Sequence, residues 1–447
     1  MITSGFIKLK HNNNKYIFDY DNVSIIRIDD KVEKFLNLMQ KYEWEELENK
    51  SSMYMTKQEY RKLIESMKSM GFLREAEFEG KQHYDSSNKI SSITLMLIQG
   101  CNLACKYCFG DEGRYNHTGF MDSDTAKQSI DFLIENTNSD KLNIIFFGGE
   151  PLLRFDLIKE IVNYCKIKES TNKLKFYFSM TTNGTLLNKE VNEFIIENKI
   201  NTMISIDGDL NDNSDRVYQN GNQAYNDIIE NTLYLRNKGL LSARATITPR
   251  NLDMVRVFEH LNTLNFKNIP ISAADNSLGT LEYKRYIDEN INLINQFKDY
   301  IKNGEIDKAK KVKILFRALK QIHFSKKQNY PCGAAFNSVA IDIDGNIYPC
   351  HRFVSYDHYN IGNVYSNCMQ TSNFIKKIFN DNSKLTECSS CFAKHFCRCG
   401  CPYENYENTG ILNRPSSRQC YLNKVIFMKL LYLYIDLSDS EIEALFE

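Results

Sequence analysis

Apolar positions along the chain recur in two rhythms that divide it. Before about residue 85, short apolar runs at residues 6–10, 15–18 and 23–28 predict three strands, the first two joined by the turn-forming His11-Asn12-Asn13-Asn14. Residues 30–42 and 56–70 carry apolar side chains at helical spacing, and Thr56 with Glu59 three positions later suits a capping box. From about Ser91 strand and helix alternate. Strands are predicted at 93–98, 142–147, 174–180, 202–206, 243–248 and 268–272, with helices at 123–136, 155–168, 189–198, 224–238 and 252–264. Six such units imply a parallel sheet with right-handed crossovers, most simply a partial barrel, whose active site forms at the C-terminal strand ends. Residues 276–327 read as a polar helical connector.

The residues with distinctive chemistry fall at those strand ends. Cys101, Cys105 and Cys108 form a CX3CX2C triplet after the first strand, and three thiolates on one loop bind iron or zinc. A 4Fe–4S cluster held by three cysteines keeps one iron open, whereas structural zinc closes with four ligands. Gly148-Gly149-Glu150-Pro151 follows the second strand. Its glycines let backbone approach a ligand, and Glu150 can accept a hydrogen bond from an ammonium group. Ser179 lies at the end of the third strand and Ser205-Ile206-Asp207-Gly208 ends the fourth. Arg216 offers a guanidinium fork to a carboxylate. The C-terminal third holds nine of the thirteen cysteines, with a hairpin turning at Asp344-Gly345 and ending at Cys350. Cys388-X2-Cys391-X5-Cys397-X3-Cys401 follows, then Cys420; by spacing alone these are zinc or iron–sulfur ligands. Cys165 and Cys368 read as free thiols.

The triplet, with the aromatic Phe109 after its third cysteine, resembles the signature of the radical S-adenosylmethionine (SAM) enzymes. That resemblance implies that SAM is cleaved reductively to a 5′-deoxyadenosyl radical, which abstracts a substrate hydrogen. It also places Gly148, Gly149 and Glu150 near the methionine amino group, Ser179 near the SAM carboxylate, and Ser205 and Asp207 near the ribose. The C-terminal pattern resembles the SPASM domain of peptide-modifying members. By that pattern Cys388, Cys391, Cys397 and Cys420 hold one auxiliary 4Fe–4S cluster and Cys332, Cys350 and Cys401 the other, three clusters in all. The second set lacks a fourth ligand; Cys399, a substrate thiolate or nothing fills it. Sulfatase-maturing relatives carry a basic aspartate after the GX4C cysteine, where this chain has His351. The Tyr348-Pro349-Cys350-His351 stretch is more similar to maturases that install thioether crosslinks in cysteine-rich ribosomal peptides. His351 is either a proton acceptor or a structural residue.

The expected architecture is therefore α/β: a partial (β/α)6 radical SAM barrel over residues 91–275, a connector at 276–327 and a SPASM domain at 328–447. Residues 1–85 resemble a winged-helix-like recognition module that binds a precursor's leader as an added strand; the alternative is a packing extension of the core. Lys plus Arg equals Asp plus Glu at 56 each, so no global basic field points to nucleic acid or an anionic membrane. No apolar run approaches a membrane span and no signal peptide opens the chain, which predicts a cytoplasmic protein with reduced thiols. The expected activity is radical crosslinking of a peptide cysteine sulfur to carbon, with flavodoxin or ferredoxin as electron donor. The rivals are formylglycine formation in a sulfatase, a carbon–carbon crosslink, and a non-catalytic cysteine-rich peptide scaffold.

Overall fold

The computed structural model describes residues 2–75, 89–328, 330–371, 374 and 386–447, so the expected boundary near residue 85 lies outside the described residues. The chain begins with β1 (Ile2–Thr3) and a three-stranded antiparallel sheet, β2 (Phe6–His11), β3 (Asn14–Asp19) and β4 (Ser24–Ile28). Asn12 and Asn13 form its first turn with φ of 47° and 60°, the backbone a two-residue hairpin requires and asparagine tolerates. Helices α1 (Asp30–Met39), α2 (Leu47–Ser51) and α3 (Lys57–Ser69) follow. Thr56 and Glu59 close the expected capping box on α3. The α1 pattern stops short of residue 42 because the N–H groups of Lys41 and Tyr42 both turn back to the Leu38 carbonyl. Strand β5 (Leu73–Arg74) then returns to β1.

Alternation of strand and helix sets in where the sequence predicts it. Strand β6 (Ser92–Met96) is followed by the short pair β7 (Ile98–Gln99) and β8 (Gly119–Phe120), then α4 (Ser123–Glu135). Next come β9 (Lys141–Phe147), α5 (Phe155–Thr171), β10 (Lys175–Thr182), α6 (Lys189–Glu197) and β11 (Asn201–Ser205). The series ends with α7 (Tyr225–Asn237), β12 (Leu241–Ile247), α8 (Met254–Thr263) and β13 (Ile271–Ala273). The six strands β6, β9, β10, β11, β12 and β13 are parallel, in that spatial order. Strand β13 is shorter than expected. The carbonyls of Asn268 and Pro270 still accept from Ala243 and Ala245 of β12, but Pro270 has no N–H to return.

The cysteine-rich region is not a separate layer but continues this sheet. Strand β14 (Ser338–Ile341) adds parallel to β6, and β15 (Asn346–Tyr348), β16 (Gly362–Asn363) and β17 (Cys368–Met369) extend it antiparallel to ten strands. The connector forms α9 (Thr280–Lys302), α10 (Ile306–Lys311) and α11 (Lys313–His323). It is a core element as well as a link: Leu293, Ile294, Phe297 and Tyr300 of α9 are buried, and Tyr300 packs against Phe258 of α8 at 5.8 Å between ring centres. Among the described residues no helix is long and apolar enough to cross a membrane.

Strand β3 serves two cores. Ile17 faces a small cluster with Phe35, Leu36 and Phe72, while Leu9, Phe18 and Val23 belong to the main core. Phe18 meets Phe427 of the helix Ser417–Asp436 edge-on at 5.5 Å. His11 bonds Asp436, and Lys394 bonds Asp21, across the same junction.

Candidate active site

Alternation along the parallel strands separates two faces. Ile144 and Phe146 of β9, Phe176 and Met180 of β10, and Ala243, Ala245 and Ile247 of β12 are buried on the helix-covered side. Phe147, Ser179, Ser205, Arg244 and Thr246 project to the other, open face of the parallel strands. The cysteine loop lies over this opening, where the 93–98 run breaks after Met96 and turns away through Ile98–Gln99.

Two backbone seams hold that loop. On one side Ala104 N–H bonds the Val217 carbonyl at 2.7 Å and Lys106 N–H the Asp215 carbonyl at 3.2 Å. On the other, Gly149 and Glu150 N–H groups bond the carbonyls of Ile98 and Gly100 at 2.9 and 3.1 Å. Glycine is required here: a Cβ on Gly149 would stand 2.0 Å from Gly100 O, and one on Gly113, at φ +83°, 2.5 Å from Gly149 Cα.

Burial pushes the Cys101 thiol up to about 12 and raises Cys105, and Cys101, Cys105 and Cys108 each lie within electrostatic reach of the others. Donors surround the sulfurs. Leu103 N–H approaches Cys101 Sγ at 3.4 Å, Asn183 Nδ2 the same atom at 3.8 Å, and Arg216 Nη1 approaches Cys105 Sγ at 3.9 Å. These contacts stabilise thiolate, the form that binds metal, and so the residues present fit a cluster. Among the described residues no three Cys, His, Asp or Glu side chains converge tightly enough to enclose a single metal ion.

Glu150 is fully buried at the floor of the opening. Its carboxyl accepts from Leu152 N–H at 3.0 Å, Thr182 Oγ1 at 2.7 Å and Asn183 N–H at 2.7 Å. Burial nevertheless outweighs these bonds and raises it to about 7. Asp207 and Arg216, given separate partners in the sequence reading, share one another: Arg216 Nε and Nη2 reach the two Asp207 oxygens at 2.8 and 3.2 Å. Asp207 also accepts from Thr246 N–H at 2.8 Å and from the Tyr107 hydroxyl. This buried pair ties the cysteine loop to two barrel strands. Tyr107, Asn183 and Thr182 escaped the sequence reading; the position of Tyr107 inside the triplet was the one available signal.

His351 stands over the opening, its ring 4.5 Å from Phe147 and 6.0 Å from Phe109. Burial, with Arg352 and Arg244 nearby, drops its pKa to about 3, so it is a neutral imidazole and a weak proton acceptor at neutral pH. Arg352 bonds Glu404 at 2.7 Å and lies over the rings of Tyr403 and Phe109.

The other cysteines fall into two neighbourhoods. Cys332, Cys350 and Cys401 act on one another, and Cys350 is pushed up to about 12, mainly by burial. Cys388, Cys391, Cys397 and Cys420 form a second set, with Asn423 Nδ2 at 3.2 Å from Cys397 Sγ. Cys399, at φ +61°, lies within electrostatic reach of Cys388, Cys397 and Cys420 and so stands with the second set. Cys165 is buried and Cys368 exposed, as free thiols.

Residues 95–261 match the model of the Radical SAM superfamily. A cysteine-type anaerobic sulfatase-maturating enzyme of Clostridium novyi is 27% identical over 339 residues, 68% of this chain and 87% of that enzyme. The radical SAM cyclopropyl synthase TigE of Paramaledivibacter caminithermalis is 25% identical over 284 residues, 57% of this chain, and the match spans 59% of the synthase. Among solved structures, native anSMEcpe with bound AdoMet and Cp18Cys peptide superposes with a TM-score of 0.64 at 21% identity, covering 77% of this chain and 98% of that one. Streptococcus suis SuiB bound to precursor peptide SuiA gives 0.51 at 16% identity, covering 93% and 99%.

Proposed function

This chain is a radical SAM enzyme, and from that premise we propose that it is a peptide maturase that joins a cysteine sulfur to carbon in a ribosomally made precursor. The observation that carries the reading is the sorting of ten cysteines into three neighbourhoods, one on the barrel opening and two in the C-terminal region. Cys101, Cys105 and Cys108 would hold the SAM-binding 4Fe–4S cluster; Cys332, Cys350 and Cys401 one auxiliary cluster; and Cys388, Cys391, Cys397 and Cys420 the other. When bound, the first cluster with SAM supplies the radical that removes hydrogen from substrate carbon.

The chain's own residues position and exclude. Glu150 is placed to accept from the SAM amino group, Ser179 and Ser205 line the opening, and the Asp207–Arg216 pair holds the loop beneath. Phe147, Phe109 and His351 border the opening with ring surface. With Cys399 beside Cys388, the first auxiliary site has three protein thiols, which suits a substrate thiolate as its remaining ligand. The N-terminal sheet offers edge strands β2 and β4 to an incoming leader segment. An electron donor of the flavodoxin or ferredoxin type completes the system.

Formylglycine formation is the second reading, because the chain spans 87% of a sulfatase-maturating relative. His351 stands where the resemblance to sulfatase-maturing enzymes expects an aspartate. Iron and acid-labile sulfide measured after anaerobic reconstitution test the proposal. About twelve irons per chain are expected, falling to about eight when Cys101, Cys105 and Cys108 are all replaced by Ala. About four irons, or zinc at the C-terminal cysteines, overturns it. A product lacking two hydrogens and one free thiol then separates thioether from a hydrazine-reactive aldehyde.

A further inference from the structure

Arg244 carries a charge that nothing above uses. It lies in β12, a central strand, between Ala243 and Ala245, both fully buried on the helix-covered face. Its own side chain therefore projects to the open face, level with Ser205 of β11, and donates from Nη2 to Ser272 Oγ at 3.1 Å. The residue is exposed, although its strand is paired on both sides.

The acids that bear on Arg244 are already taken. Glu404 pairs with Arg352 at 2.7 Å and Asp207 with Arg216 at 2.8 Å. The guanidinium is crowded by protein and repelled first by Arg352, which lowers its pKa. Arg352 adds a second unmet demand, since its Nε is buried with no hydrogen-bond partner among the described residues. Arg244 and Arg352 both act on His351. Together they mark the side of the opening that faces the cysteine-rich region, away from the Glu150 floor.

We infer that Arg244 is a substrate-recognition residue that binds a carboxylate of the substrate, an Asp or Glu side chain or the free C-terminus of the peptide. The inference rests on the peptide reading above and adds a specificity to it. A planar guanidinium fork takes a carboxylate through two parallel hydrogen bonds. In this place it fixes the register of the bound chain, so that one residue lies over the opening. The Ser205 and Thr246 side chains flank the site on the same face.

The test uses reconstituted, SAM-loaded enzyme and four fluorescein-labelled pentapeptides, Ala-Cys-Ala-X-Ala, with X as Asp or Asn and the C-terminus free or amidated. Succinate and succinamide serve as non-peptide probes. Wild type is expected to bind the acid-bearing peptides about tenfold to a hundredfold more tightly than the amidated Asn peptide, the range of a charge-assisted pair. Arg244→Gln is expected to erase that preference and Arg244→Lys to restore part of it, with SAM affinity unchanged in both. The Asp and free-terminus arms say which carboxylate is read. Peptides bound without acid preference overturn the inference and leave the peptide reading standing. Succinate bound through Arg244 while no peptide binds supports the carboxylate site and overturns the peptide reading. Loss of SAM binding in Arg244→Gln, or no binding of any probe, overturns the inference.

Discussion

Glu150 shows how one side chain is prepared for a ligand. Its carboxyl accepts three hydrogen bonds yet is held near 7, above the ordinary 4.5, because burial costs the ionised form more than those bonds return. The folded chain therefore keeps a proton that the unfolded chain releases between about pH 4.5 and 7, and its stability falls as pH rises through that window. Glu150→Gln cannot titrate. In SAM-free, cluster-loaded protein its stability relative to wild type is expected to improve by on the order of 2–3 kcal/mol from pH 5 to pH 7.5, read by denaturant unfolding. A gap that stays constant with pH would show the carboxyl ionised throughout. Glu150 stood out in the sequence by its place immediately after the second strand, since Gly-Gly-Glu by itself is a common turn. Arg244 did not: a lone charge inside a strand pattern reads as a solvent-facing position. Only the pairing with β11 reveals that it shares the open face of the sheet with Ser205.

At the scale of elements, the cysteine loop and the Gly148–Glu150 loop work as one unit because their backbones touch. A methyl on Gly149 would meet Gly100 O at 2.0 Å, whereas a methyl on Gly100 would meet only the Ile98 side chain at 3.8 Å. Gly149→Ala is therefore expected to push Cys101 out of line and lower reconstituted iron by about four per chain, one cluster's worth. Gly100→Ala, a residue closer to the ligand in sequence, is expected to keep it. Equal iron in both variants would dissociate the seam from cluster binding. The strands and helices that carry these loops were read correctly from apolar rhythm, since period and face are local properties. The joining of β14 to β6 was not, because a hairpin's pattern fits any sheet edge and nothing local names the partner strand. The place of Cys399, left open in the sequence beside a substrate thiolate or no ligand, was hidden for a similar reason. Its left-handed backbone, shared with Arg398 and Gly400, turns the thiol toward Cys388, and spacing cannot show that.

For the whole molecule, the consequence of a continuous core is that the N-terminal module is not a tethered wing. Sequence rhythm changes near residue 85, which invites a domain boundary, but rhythm describes an element and not what covers it. The signal of something more was Tyr16-Ile17-Phe18, three apolar residues in succession on a strand, which buries both faces. Ile17 closes the small core and Phe18 the main one, against Phe427. Deleting the residues before about Ser91 would then strip the cover from Phe427 and leave Asp436 without His11 and Lys394 without Asp21. Such a chain is expected to aggregate or reconstitute poorly, so a loss of peptide affinity in it would say little about leader binding. Phe18→Ala measures the coupling directly. It is expected to cost about 3–5 kcal/mol, the range for emptying a buried aromatic site, and to lower the unfolding transition of the C-terminal region together with that of the N-terminal sheet. A Phe18→Ala chain whose N-terminal sheet melted alone, with all iron retained, would show a detachable module. In that case deletion would become the proper test of the leader site.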